Sequence, residues 1–144
     1  MSHYTGYYGR VIVREEYREL IEGRLIITDT SDPVFMLYKN LDDEERFDLK
    51  ITGLNWTKWE FDKESGLWDF HVEYNERKQG TPHDNLIDYF IPYIAEEVIE
   101  MHYWDEYDPS LDISSSLTSS LRQQIEHREE TIMEICKELK SYKQ

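Results

Sequence analysis

The stretch that decides the fold is NWTKWEFDKESGLWDFHVEY, residues 55–74, in which two alternating segments flank a short polar loop. The loop at 63–66 has four residues and ends in glycine, which is typical of antiparallel hairpins. Aromatic pairs across the two strands would stabilise such a hairpin. The sequence therefore predicts an antiparallel sheet here. The residues that share one face of each segment are Trp59 and Phe61 in the first, and Trp68, Phe70, Val72 and Tyr74 in the second.

The segments on either side of the hairpin alternate between strand and helix patterns. Alternating or β-branched runs predict strands at 9–14, 24–28, 47–52 and 99–107, the last at a sheet edge. Apolar residues at three- and four-residue spacing predict helices at 15–23, 83–98 and 117–142. Pro92 predicts a kink or a late start in the second of these helices. The run at 34–38 fits a strand or a helix, and 40–46 fits an acidic loop or one helical turn.

This order of elements predicts an α+β fold: an antiparallel sheet with helices packed on one face and a C-terminal amphipathic helix. A chain of 144 residues is long enough for one domain of ordinary size. We expect an acidic α+β domain at 1–112. A Ser-rich linker and the C-terminal helix follow at 113–144, packed on the same domain. The Ser-rich stretch itself covers residues 109–120.

Composition places the chain among folded, acidic proteins. Aromatic residues make up 14% of the sequence, which supplies a core although 33% of the residues are charged. No apolar run approaches the ~20 residues of a membrane span, and residues 1–10 carry no secretion signal. The single cysteine, Cys136, excludes an internal disulfide and a cysteine-based zinc site. We therefore expect a cytoplasmic protein.

The charge of the chain is large and unevenly distributed. The 16 basic and 31 acidic residues give a net charge of −15. In residues 119–144 the basic and acidic residues are equal in number, whereas residues 79–121 contain nine acids and neither lysine nor arginine. Such a surface attracts basic proteins and repels nucleic acid and anionic membranes. The simpler alternative is that the acidic clusters are solvated faces that serve solubility.

The strongest candidate for a binding site is the acidic and aromatic segment at 96–108. On a strand, residues 100, 102, 104 and 106 share one face, which would present Trp104 among carboxylates. Tryptophan anchors many interfaces because it buries a large area with few torsions, and surrounding acids orient a basic partner. The alternative is that Tyr103 and Tyr107 belong to the core and that Trp104 is a half-exposed residue of the sheet. The predicted binding residues are Glu96, Glu97, Glu100, Trp104, Asp105, Glu106 and Asp108.

Signals for metals and cofactors are weak. His83, Asp84 and Asp88 fit one helical turn, but a metal site needs further ligands, so neither a metal nor a cofactor is predicted. The sequence contains no glycine-rich phosphate loop and no serine-nucleophile motif. No catalytic residue is predicted.

Two stretches resemble small acidic bacterial and prophage proteins of the toxin-immunity kind. They are GRVIVREEYRELI at 9–21 and DYFIPYIAEEVIEMHYW at 88–104, on either side of the aromatic hairpin. The resemblance spans about residues 9–107. It implies a small α+β domain that occludes a basic enzyme, and it carries over no specific binding residue.

Charge and resemblance together predict a non-enzymatic interaction protein that binds and neutralises a basic, nucleic-acid-acting protein, as an immunity or anti-defence factor does. Electrostatic steering would precede aromatic docking, with carboxylates standing where phosphates would lie. Direct binding to nucleic acid or membrane is not expected. Two alternatives stay open. One is an assembly subunit that self-associates through its C-terminal helix, for example as a homodimer. The other is a small hydrolase in which His102 acts with Glu100 or Glu106.

Overall fold

The computed structural model describes residues 4–23, 55–75, 90–110 and 112–141. The described strands are β1 (Tyr4–Val13), β2 (Asn55–Phe61), β3 (Leu67–Asn75) and β4 (Ala95–Asp105). The described helices are α1 (Arg18–Glu22), preceded by a 3-10 turn at Glu15–Tyr17, and α2 (Ile91–Ile94), α3 (Ser114–Glu126) and α4 (Arg128–Ser141). The strands form an antiparallel sheet in the order β2-β3-β1-β4, so the predicted α+β class is confirmed.

The predicted aromatic hairpin is present. Trp59 lies opposite Phe70 and Phe61 lies opposite Trp68, so aromatic residues of β2 and β3 share one face. Gly66 ends the loop with a φ of 79°, a conformation that glycine adopts without steric cost. Arg18 ties this loop to β1, because its guanidinium donates to the carbonyl of Val13 (3.1 Å) and to that of Glu64 (3.1 Å).

The core lies between one face of the sheet and the helices. The centre of the sheet contributes Val11, Phe70 and Met101, all with no exposed surface. Burial of each such side chain stabilises the fold by about 1.5–3 kcal/mol. The helices cover this face with fully or almost fully buried apolar side chains: Leu20, Ile21, Ile91, Ile94, Leu121 and Ile132.

Strand β4 replaces the last four residues, 95–98, of the predicted helix at 83–98, and that part of the prediction is wrong. The helix seen is short, with Pro92 in its first turn, which agrees with the late start predicted from proline. The chain becomes extended at Ala95. Two register shifts against β1 then allow Ala95, Val98 and Met101 all to be buried. These β-bulges give the strand a three-residue apolar spacing that resembles the period of a helix.

The C-terminal segment is helical from Ser114, so residues 114–120 do not form the predicted linker. Helix α3 begins after Asp112, whose carboxylate accepts a hydrogen bond from the Ser114 N–H (3.0 Å). This contact lowers the pKa of Asp112. The helix ends at Glu126 and a second begins at Arg128, where the apolar pattern is interrupted. None of the described helices is both long and apolar enough to cross a membrane.

Side chains of α3 and α4 cover the outer edge of β4. The Thr118 hydroxyl accepts from the Met101 N–H (3.2 Å) and donates to the carbonyl of the same residue (3.2 Å). Arg122 donates to the carbonyls of Val98 (3.0 Å) and Ile99 (3.1 Å). One helix thus satisfies backbone groups that an edge strand would otherwise offer to another chain.

Several sequence predictions lie outside the described residues. They are the strands at 24–28 and 47–52, the segments at 34–38 and 40–46, and the group of His83, Asp84 and Asp88. The side chain of Cys136 is also outside the described part of the chain.

Replacing the arginine that covers the β4 edge should destabilise the fold. Arg122→Ala removes two hydrogen bonds to strand carbonyls, and we expect the free energy of unfolding to fall by about 1 kcal/mol. Urea denaturation followed by circular dichroism measures the change. Gln123→Ala, at an exposed position on the same helix, is the control. Equal midpoints for the two variants would contradict this role for Arg122.

Candidate functional site

The face of the sheet opposite the core is polar and aromatic, and we refer to it as the open face. Strand pairing places Arg10, Asp69 and Glu100 side by side on it, and likewise Tyr8, His71 and His102. These side chains are half-buried or exposed. The open face therefore presents titratable and aromatic groups from every strand of the described sheet.

An ion-pair ladder crosses the open face from β2 to β4. Lys58 contacts Asp69 (3.2 Å), Asp69 contacts Arg10 (3.9 Å), and Arg10 contacts Glu100 (3.7 Å). The ladder ends where His102 Nε2 lies 3.1 Å from a carboxylate oxygen of Glu100. Each exposed pair contributes at most about 1 kcal/mol, so the ladder orients side chains more than it stabilises the fold.

Asp69 is the least exposed member of this ladder. Its side chain is 18% exposed, and its Oδ1 is buried with no hydrogen-bond donor among the described residues, while Oδ2 accepts from Lys58. That hydrogen bond, reinforced by the charge of Asp69, raises the pKa of Lys58. Because the folded-state pKa is the higher one, the contribution of the pair is present at neutral pH and is lost as the pH rises through that pKa. Both cations of the ladder, Arg10 and Lys58, are therefore already paired with carboxylates of the same face.

Trp104 occupies the open face above Gly6. Gly6 lies opposite Trp104 in the strand register, and a Cβ built on this glycine would lie 2.4 Å from the indole ring. Any other residue at position 6 would displace the ring. The indole also lies beside His71, with ring centroids 5.8 Å apart, and its Nε1–H donates to His71 Nε2 over 2.7 Å.

The structure places four of the seven predicted binding residues on the open face. Strand pairing directs Glu97, Glu100 and Trp104 to this face, and Glu106 continues it through contacts with the backbone of Tyr4. The other three lie elsewhere. Glu96 falls at a β-bulge, Asp105 turns to the opposite face and accepts from the Tyr103 hydroxyl (3.3 Å), and Asp108 accepts from Ser110 in the following turn.

The open face is acidic among the described residues of the sheet. It carries six carboxylates against the two cations of the ion-pair ladder. The carboxylates are contributed by Glu60, Asp69, Glu73, Glu97, Glu100 and Glu106. A surface of this sign raises the local concentration of cationic groups and repels phosphate.

A separate cleft of about 790 Å³ lies where the start of β4 meets the junction of α3 and α4. Glu96 lines it, together with Arg14 and Arg128. Both arginines donate to backbone carbonyls, Arg14 to Tyr93 (3.1 Å) and Arg128 to Ala95 (2.9 Å). Partial burial and the neighbouring charge of Arg14 lower the pKa of Arg128. The guanidinium groups therefore serve to join the helices to the sheet.

The His102–Glu100 pair, which the sequence singled out as a possible acid–base pair, forms outside this cleft. Its two side chains are 49% and 37% exposed on the open face. Among the described residues, no group of three or more potential metal ligands is present.

No family model matches the chain, and neither a curated protein nor a solved structure matches it. The resemblance to toxin-immunity proteins therefore stays a prediction.

Sequence reasoning did not identify His71 as a site residue. In the sequence, this histidine lies on the side of its strand opposite the predicted aromatic face. Only the strand order, with β1 between β3 and β4, brings His71 and Trp104 together across Gly6. Gly6 precedes the predicted strand at 9–14, and only the longer β1 places it within a strand, where a glycine often marks a close approach by another group.

A double-mutant cycle tests the packing of Trp104 on Gly6. Gly6→Ala should cost about 1–3 kcal/mol of unfolding free energy, because the new methyl group overlaps the indole. In a Trp104→Ala background the same change should cost much less, giving a coupling of at least about 1 kcal/mol. Chemical denaturation of the four proteins measures this. Additive effects would show that the ring does not rest on residue 6.

Proposed function

We propose that the chain is a non-enzymatic acidic interaction protein whose open face docks onto a basic protein partner. The observation that carries the proposal is the position of Trp104, which is held between Gly6 and His71 within a surface of six carboxylates. A large aromatic side chain fixed before binding loses little conformational entropy on docking. The carboxylates around it match a cationic surface.

Association would proceed in two stages. The acidic face first steers the partner, because opposite charges raise the rate of productive encounters. Trp104 then enters a pocket on the partner and slows dissociation. Arg10 and Lys58 oppose this attraction only weakly, since both are already paired with carboxylates of the ion-pair ladder.

The partner we propose is a protein that acts on nucleic acid. Proteins that bind phosphate backbones carry clustered lysine and arginine, and these groups determine most of their affinity. Carboxylates of the open face would stand at the positions of the phosphates, so that binding blocks access to nucleic acid. This is the action of an immunity or anti-defence factor, and it places the protein in the cytoplasm beside its target.

Hydrolysis is a second candidate, favoured by the 3.1 Å contact between His102 and Glu100. A histidine oriented by a carboxylate is a common general base. The exposure of both groups on a sheet face, apart from the cleft, favours docking over catalysis.

Self-association through the C-terminal helices is the third candidate. Met133 on α4 is 60% exposed, which leaves an apolar side chain available to a second copy. On α3, however, Leu121 is buried against the rest of the fold. Much of the apolar surface of that helix is therefore already used within one chain.

Charge reversal on the open face tests the proposed function. Glu60→Lys combined with Glu97→Lys changes two exposed positions on this face, neither of them in the ion-pair ladder. We expect the association rate with a basic partner to fall about tenfold at low salt, and its salt dependence to weaken. The partner is captured from a lysate of the native organism with the wild-type chain, purified, and measured by surface plasmon resonance at two ionic strengths.

A matched control distinguishes an effect of the open face from an effect of the total charge of the protein. Glu19→Lys with Glu130→Lys makes the same charge change at exposed positions on α1 and α4. The proposal expects this pair to bind nearly as the wild type does. Equal losses for both pairs, or a captured partner without a basic surface, would rule out docking through the open face.

A further inference from the structure

The hydrogen bond between Trp104 and His71 requires a specific protonation state. An indole Nε1–H is a donor and has no acceptor function, so its contact at 2.7 Å needs a lone pair on His71 Nε2. An imidazolium ion has an N–H at both nitrogens and offers no such lone pair. The observed arrangement therefore belongs to neutral His71.

The other nitrogen of the ring supports the same assignment. His71 Nδ1 lies in hydrogen-bond contact with Thr57 Oγ1. The Thr57 hydroxyl also lies 3.3 Å from the main-chain carbonyl of His71, where it is the donor. Its oxygen is thus able to accept from Nδ1–H. Together these contacts select the neutral tautomer that carries its proton on Nδ1.

We propose that His71 is a pH-sensitive switch that holds Trp104 on the open face when neutral and releases it when protonated. A proton taken from solvent binds the lone pair of Nε2. Two N–H groups then face each other where one bond existed, and the indole must move away. The imidazole group suits such a switch because it ordinarily titrates between about pH 5 and 8.

Both positively and negatively charged side chains surround His71. His102, at the same level of the sheet, is a second imidazole on this face, and its effect therefore has to be separated by experiment. The titratable and charged groups that face His71 are Lys58 on β2, Tyr8 on β1, His102 and Glu106 at β4, and Asp69 and Glu73 on its own strand.

The switch would regulate binding, a consequence that rests on the proposed function. At neutral pH the open face presents a fixed Trp104 among carboxylates. In mild acid the ring is released, and the positive charge gained by His71 reduces the attraction for a basic partner. Binding would therefore weaken as the pH falls.

The test uses the full chain without a partner, so it succeeds or fails independently of the proposed function. Nuclear magnetic resonance follows the four indole N–H signals and the ring nitrogens of His71 from pH 7.5 to 5.5. Trp104→Phe assigns the relevant indole. We expect its signal to shift as His71 is protonated, and its protection from solvent exchange, measured against the intrinsic rate at each pH, to fall about tenfold, as for the loss of one ordinary hydrogen bond. The buried Trp68 indole should stay unchanged and so reports an intact fold.

Two variants identify the titrating group. His71→Gln supplies an amide oxygen that accepts from the indole at any pH, so the shift of Trp104 should disappear. His102→Gln should leave the shift in place. The switch is refuted if Trp104 follows His102, if it does not respond while His71 titrates, or if His71 carries its proton on Nε2 at pH 7.5.

Discussion

The outer edge of β4 is the constraint on which the described architecture depends. A strand that pairs on one side leaves amide and carbonyl groups on the other, and these must find partners or invite a second chain. Here Thr118, Arg122 and Arg128 provide the partners from the helices. The arrangement fixes α3 along β4 and brings Leu121 into the core. The helices therefore close both an edge and a face of the sheet.

The parts of the fold that sequence alone predicted are those set by local rules. Alternation of large apolar residues in β2 and β3, with Gly66 in the loop, specifies the hairpin through side-chain direction and backbone conformation. Strand β4 was misjudged at its start because its bulges depend on pairing with β1, which no local pattern records. Ser114–Ser120 appeared to be a linker because serine is a poor helix former in isolation, whereas burial of Leu121 and the bonds to β4 stabilise that helix.

In the candidate site too, some features follow from local sequence pattern and others depend on the pairing of distant strands. Its location on β4 and the placement of Trp104 on the open face followed from alternation along one strand. The exclusion of Glu96 and Asp105 from the open face did not follow, because a bulge moved the first and the face assignment of the second required the register with Thr5. His71 and Asp69 entered the site only through strand order. Contacts between strands that are distant in the sequence therefore cannot be predicted from a single sequence.

The sheet also separates the tryptophans into two environments. On the core side, Trp56, Trp59 and Trp68 have ring centroids 4.7–5.6 Å apart, close enough to share excitation energy. On the other side, Trp104 lies beside the imidazole of His71, with ring centroids 5.8 Å apart. A spectroscopic change that follows Trp104 would therefore report on the surface, and one that follows the other three tryptophans would report on the packing of the core side. One chain carries two optical probes, one for its packing and one for its solvent-facing side.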